Sequence, residues 1–126
     1  MFNYVQSDPL ACEFIPVAPE KDLPAGERLF LEIENQPLVV FNLAGGLYCV
    51  ADLCSHDNGP LGEGDLEGYE VVCPRHGARF DIRDGKATAL PAVKDIPAYP
   101  VRIHNGMIEI GFVIPTRAGN KTPVEK

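Results

Sequence analysis

Four side chains in this sequence can hold metal: Cys54 and His56 in Cys54-Ser55-His56, then Cys73 and His76 in Cys73-Pro74-Arg75-His76, with sixteen residues between the two groups. Each group offers one soft thiolate and one imidazole. Thiolates suit iron–sulfur clusters, and imidazole suits iron as well as zinc. One residue between Cys54 and His56 lets both side chains leave a single tight turn, and two residues between Cys73 and His76 do the same for a second turn. In a two-iron cluster each loop would then supply one ligand to each iron, so that the group staples the loops together. Gly59, Gly62, Gly64 and Gly77 allow backbone shapes that bring amides close to sulfur, and such amide hydrogen bonds are a lever on reduction potential. The alternative is a structural zinc module made of the same residues. Zinc sites usually pair two cysteines on one arm and two histidines on the other, whereas here each arm mixes the two, and the spacing weighs against zinc.

The elements that must position these residues read as strands. Twelve Gly and twelve Pro in 126 residues suit short strands and many turns. Arg28–Ile33 and Pro37–Phe41 read as strands joined near Asn35-Gln36, and Gly45-Gly46 turns the chain into Leu47–Val50. Residues 54–68 are loop-like. Tyr69–Val72 and Arg79–Ile82 are short strands, Asp84-Gly85 is a hairpin turn, and Thr88–Pro97 is a Pro-containing loop. Tyr99–His104 and Met107–Ile110 flank Asn105-Gly106, the strongest hairpin signal in the chain. No segment sustains a helical period. The expected fold class is all-β, with two metal loops projecting from one end. The third histidine, His104, alternates with Val101 and Ile103 along its strand and reads as a solvent-face residue, not a ligand.

Composition bounds the function. At 45% hydrophobic residues the chain is expected to be globular, and its length suits one domain. Net charge is −7, which argues against nucleic acid or anionic lipid as partner. No Lys or Arg occurs between Leu29 and Pro74, while Glu32, Glu34, Asp52, Asp57, Glu63, Asp65, Glu67 and Glu70 do. An acidic surface of this kind favours a transient protein partner with a basic docking patch, or serves solubility alone. The N-terminal stretch shows no basic region followed by an apolar run, so no secretion signal and no membrane anchor is read, and the cytoplasm is the expected compartment. Structural disulfides are rare there. Cys49, in an apolar run, is then a buried small hydrophobe. Arg75 and Arg79 flank His76. They either touch an acidic partner surface or neutralise the chain's own acids.

The segments CSHDNGPLGEG at 54–64 and CPRHGARFD at 73–81 resemble the Rieske-type ferredoxins, the soluble carriers of bacterial ring-hydroxylating dioxygenase systems. Asp84-Gly85, the Pro91 loop and the hairpin at Asn105-Gly106 fit the same pattern, as does Leu23–Glu27 before the first strand. The resemblance implies a lead-in over 1–12, a Rieske [2Fe–2S] domain over 13–112 and a tail over 113–126. It also implies a fold of small antiparallel sheets with a cluster-binding subdomain of two loops at one end, under a proline loop. One [2Fe–2S] cluster per chain would be held by Cys54 and Cys73 on the buried iron and by His56 and His76 on the outer iron. High-potential members of the family carry a disulfide between the two loops and two hydroxyl donors to cluster sulfur. The corresponding positions here are Gly59 and Arg75, then Ala78 and Phe80. Without those devices a reduction potential near the low end of the Rieske range is expected, about −150 mV. In the oxidised cluster the charges of core and thiolates cancel and neutral imidazoles add none, so reduction leaves about one net negative charge. The potential is further expected to fall as pH rises through the histidine pKa values.

The function so implied is one-electron transfer from a flavin reductase to a terminal non-haem iron oxygenase, by a protein that is not itself an enzyme. No mononuclear iron motif, dinucleotide turn or nucleophile set is seen, and no small-molecule substrate pocket is expected. The alternatives are a small Rieske subunit of a redox complex, such as assimilatory nitrite reductase, and a carrier in iron–sulfur assembly.

Overall fold

The computed structural model describes residues 13–112 apart from His56 and Val93. The lead-in, with Cys12, and the tail lie outside the described residues. The described residues form eleven strands and one 3-10 turn, Glu20–Asp22. In chain order the strands are β1 Glu13–Pro19, β2 Arg28–Ile33, β3 Gln36–Leu43, β4 Gly46–Ala51, β5 Leu66–Glu67, β6 Glu70–Val72, β7 Arg79–Asp81, β8 Ala87–Ala89, β9 Ala98–Tyr99, β10 Val101–His104 and β11 Met107–Phe112. They make three antiparallel sheets, in the orders β9-β4-β3-β2, β10-β11-β1 and β5-β6-β7-β8. No described helix is long and apolar enough to cross a membrane. The all-β expectation holds.

Strand β3 divides the interior. Leu38, Val39, Val40 and Phe41 are all buried, and alternate side chains of a strand point to opposite faces. Leu38 and Val40 join Ile33, Cys49, Ile108, Ile110 and Phe112 in one core, which we call the base. Val39 and Phe41 join Leu61, Val71, Phe80, Ile82, Ile96 and the two cysteines Cys54 and Cys73 in the other, the tip. Neighbouring β4 repeats the split, with Cys49 on the base side and Val50 on the tip side. Burying one such aliphatic side chain contributes about 1.5–3 kcal/mol. The strand that carries Cys49 into the base therefore delivers the chain, a few residues later, to the loop of Cys54.

Three two-residue hairpins set the register. Glu34-Asn35 joins β2 to β3, Ala44-Gly45 joins β3 to β4, and Asn105-Gly106 joins β10 to β11, every one of these residues at positive φ. Such left-handed pairs match the twist of the strands they connect. The second turn falls one residue earlier than the sequence suggests, so Gly46 opens β4. Other boundaries also shift. The Tyr99–His104 strand is broken at Pro100: Ala98–Tyr99 pairs with β4, whereas Val101–His104 pairs with β11. Ala87–Ala89, whose last two residues read as the start of a loop in the sequence, pairs with β7. Glu13–Pro19, not anticipated as a strand, pairs along β11 around an irregularity at Ile108/Glu109. Proline is tolerated on such an edge strand. Ile103 is exposed rather than core, and His104 is exposed as expected. A cleft of about 280 Å³ opens beside the base, lined by Leu23, Asn42, Leu47, Val101, Arg102 and Ile108 among others, none of them in the metal loops.

Candidate metal centre

Both loops are built on one backbone pattern. The Cys54 N–H donates to the Gly59 carbonyl at 2.8 Å, and the Cys54 carbonyl accepts from the Asn58 N–H at 2.7 Å. In the second loop the Cys73 N–H donates to the Ala78 carbonyl at 2.7 Å, and the Cys73 carbonyl accepts from the Gly77 N–H at 3.0 Å. Asn58 and Gly77, four residues after their cysteines, both adopt positive φ. The two motifs differ in spacing, yet each cysteine opens the same closed turn.

The first loop is pinned to the body by charged side chains. Asp52 Oδ1 accepts from the N–H groups of Leu61 at 2.8 Å and Gly62 at 2.6 Å. Arg28 Nη1 donates to the carbonyls of Gly62 and Gly64. At Gly64 a Cβ would lie 1.8 Å from the Val72 carbonyl oxygen, so only glycine lets this loop pass under β6. The proline loop, Leu90 to Pro97, closes over the side: Ser55 Oγ donates to the Lys94 carbonyl, Ala51 N–H to Pro97 and Ile96 N–H to Gly85.

This scaffold brings two sulfurs together. Cys54 and Cys73 are sealed from solvent and hydrogen-bond to one another. Burial works to raise the Cys73 thiol. The N–H groups of Arg75 and His76, the Cys54 thiol and the Arg75 charge outweigh it and hold the group below the ordinary thiol value. Cys49, equally buried in the base, is pushed far up by burial. The His76 side chain is half exposed, with Nδ1 3.5 Å from Asp57 Oδ2. His56 lies outside the described residues. Two adjoining sulfurs from two loops, backbone N–H groups directed at one of them, and an imidazole at the surface form a donor set that fits an iron–sulfur group bound through thiolate and histidine.

Comparison with known proteins bears on the same residues. Residues 13–100 match the Rieske [2Fe-2S] domain. The chain belongs to the Rieske family. The chain is 41% identical over 98 residues to the 3-phenylpropionate/cinnamic acid dioxygenase ferredoxin subunit of Escherichia coli, covering 76% of this chain and 91% of that protein. The naphthalene 1,2-dioxygenase system ferredoxin component of Pseudomonas putida is 33% identical over 96 residues, covering 76% and 92%. Among solved structures, the Sphingomonas yanoikuyae B1 ferredoxin superposes with a TM-score of 0.72 at 32% identity, covering 79% of this chain and 99% of that one. The Rieske fold and its [2Fe–2S] cofactor are thereby shown for this chain.

Within the Rieske domain, several residues of the tip were not legible in the sequence. Asp52 and Arg28 lie outside the motifs, Ser55 lies inside one with no role read for it, and the roles of all three depend on partners up to 39 positions away. Arg75 and Arg79 were left open between an outward and an inward role. Both turn inward: Arg75 to Asp57, and Arg79 to Glu67 at 2.7 Å and Glu70 at 3.1 Å. They neutralise the chain's own acids. Ala78 and Phe80 are fully buried in the tip core and bring no hydroxyl to it.

Proposed function

We propose that this Rieske ferredoxin carries single electrons from a flavin reductase to a terminal non-haem iron oxygenase of the ring-hydroxylating type, in the cytoplasm. Cys54, His56, Cys73 and His76 are the residues that would hold the cluster, within a domain spanning 13–112. When bound, a [2Fe–2S] cluster supplies one-electron oxidation and reduction at iron. What this chain contributes is position and charge. The paired turns hold two thiols in contact, and the N–H groups of Arg75 and His76 favour the thiolate. The half-exposed His76 offers a short route to a partner at the surface.

The observation that carries this reading is the meeting of Cys54 and Cys73 from two loops that share two backbone hydrogen bonds, in a chain whose relatives are ferredoxin components of dioxygenase systems. The buried Ala78 and Phe80, with no hydroxyl to donate, support a potential near the low end of the Rieske range, about −150 mV. Anaerobically purified protein should be coloured and, after reduction, should give a low-temperature EPR signal from one unpaired electron per chain. Added to a purified flavin reductase and ring-hydroxylating oxygenase, it should restore NADH-dependent product formation, and alone it should form none. A colourless, EPR-silent protein containing zinc would overturn the assignment.

A further inference from the structure

We propose that Arg75 is a positioning residue of the metal centre: its guanidinium clamps the first ligand loop to the second, and with Asp57 it sets the local charge beside the histidine ligands. This inference rests on the reading of Cys54, His56, Cys73 and His76 as ligands. All three guanidinium nitrogens are engaged across the gap. Nε donates to Asp57 Oδ2 at 2.7 Å, Nη2 to Asp57 Oδ1 at 2.9 Å and Nη1 to the Pro60 carbonyl at 2.6 Å. Asp57 is itself fixed, because Oδ1 also accepts from the Gly59 N–H at 3.0 Å. The guanidinium lies over Gly59, where a Cβ would come within 2.9 Å of Arg75 Cζ. A side chain at 59 would therefore push the guanidinium from this position.

The two ends of the clamp are placed where they matter. Arg75 directly precedes His76, and Asp57 directly follows His56. A planar two-pronged guanidinium–carboxylate pair fixes orientation as well as distance, which lysine cannot reproduce. An ordinary exposed ion pair contributes little. This one adds a backbone carbonyl and joins two loops whose relative position decides whether four ligands converge. The pair is also electrically balanced. An electron arriving at the centre adds negative charge, so a nearby positive charge favours reduction and a nearby negative charge opposes it. Removing Arg75 alone leaves Asp57 uncompensated, and removing the Asp57 charge alone leaves Arg75 uncompensated.

The test uses the cluster-loaded protein and its variants Arg75→Gln, Arg75→Lys, Asp57→Asn, Gly59→Ala and the double variant Arg75→Gln/Asp57→Asn. Bleaching of the visible absorption in excess iron chelator reads the clamp. Protein-film voltammetry reads the charge, and amide hydrogen exchange over 54–64 reads the loop itself. Arg75→Gln, Asp57→Asn and Gly59→Ala should each speed cluster loss about fivefold. The double variant should be no faster than either single change, because both remove the same interaction. Arg75→Lys should fall between Arg75→Gln and wild type. The potential should fall in Arg75→Gln, rise in Asp57→Asn and return toward wild type in the double variant. Exchange over 54–64 should quicken in all three clamp-breaking single variants. Unchanged release in both Arg75→Gln and Asp57→Asn, additive effects in the double variant, or potentials moving in the same direction in both single variants would each overturn the proposal. Failure of the wild-type protein to hold iron would end the ligand assignment itself, whereas unaltered variants would end the clamp alone.

Discussion

Cys49 and Cys73 are equally hidden, each 1% exposed, yet their thiols are driven in opposite directions. Cys49 sits in the base among Leu38, Val40, Ile108 and Ile110, where burial alone acts and the neutral thiol is favoured. Cys73 sits in the tip, where two backbone N–H groups and a nearby arginine outweigh burial. Low exposure alone therefore does not decide what a cysteine can do here; the depth of packing around the thiol and the direction of the nearby dipoles do. The same contrast separates the two halves of the molecule. The base is built from strands as long as eight residues around an aliphatic core. The tip has strands of two or three residues and is closed by Asp52, Arg28, Ser55 and Arg75 bonding to loops. Polar closure leaves amides free to face sulfur, which aliphatic packing would not.

The comparison can be broken most sharply at the cysteines. Cys73→Ser or Cys54→Ser should abolish the visible absorption of the loaded protein, while Cys49→Ser should keep full iron content. Loss of colour in Cys49→Ser would erase the distinction between the halves. Next in size is Gly64→Ala, whose Cβ would strike the Val72 carbonyl; a loss of more than about 4 kcal/mol is expected in denaturant unfolding. At Gly26, which is at positive φ but has open space around it, alanine should cost only about 1–2 kcal/mol. Leu38→Ala, in the base, should cost about 2–5 kcal/mol by the same measurement, with the spectrum of the loaded protein unaltered. A spectral change there would show that base packing reaches the centre. His104→Ala is the smallest: stability should stay within about 0.5 kcal/mol, and iron content by metal analysis should not change.

Much of the fold was readable where local chemistry is strict. Asn105-Gly106 demands a left-handed turn wherever it falls between apolar runs, and the register His104 to Met107 follows from it. Arg28–Ile33 was read with the bounds it has. The N-terminal strand was not, because Pro16 and Pro19 argue against a strand until β11 offers an edge for it. Ala87–Ala89 lacked strand character of its own and pairs only because β7 lies beside it. The continuous reading of Tyr99–His104 failed at Pro100, where the chain passes from one sheet to another; the proline could have marked the break, but not the sheet on either side of it.

The sequence by itself put forward the candidate donor atoms and the turns that open at Cys54 and Cys73, because residue spacing and positive-φ positions act over a few covalent bonds. Gly59, Arg75, Ala78 and Phe80 could likewise be read from it as the absence of a cross-link and of two hydroxyls. Only the tertiary structure decided that Arg75 closes on Asp57, that Arg79 closes on Glu67 and Glu70, and that Cys73 is stabilised as thiolate while Cys49 is not. Those outcomes depend on charges and amides many residues apart in sequence, whose interaction changes steeply with distance and with the water excluded between them.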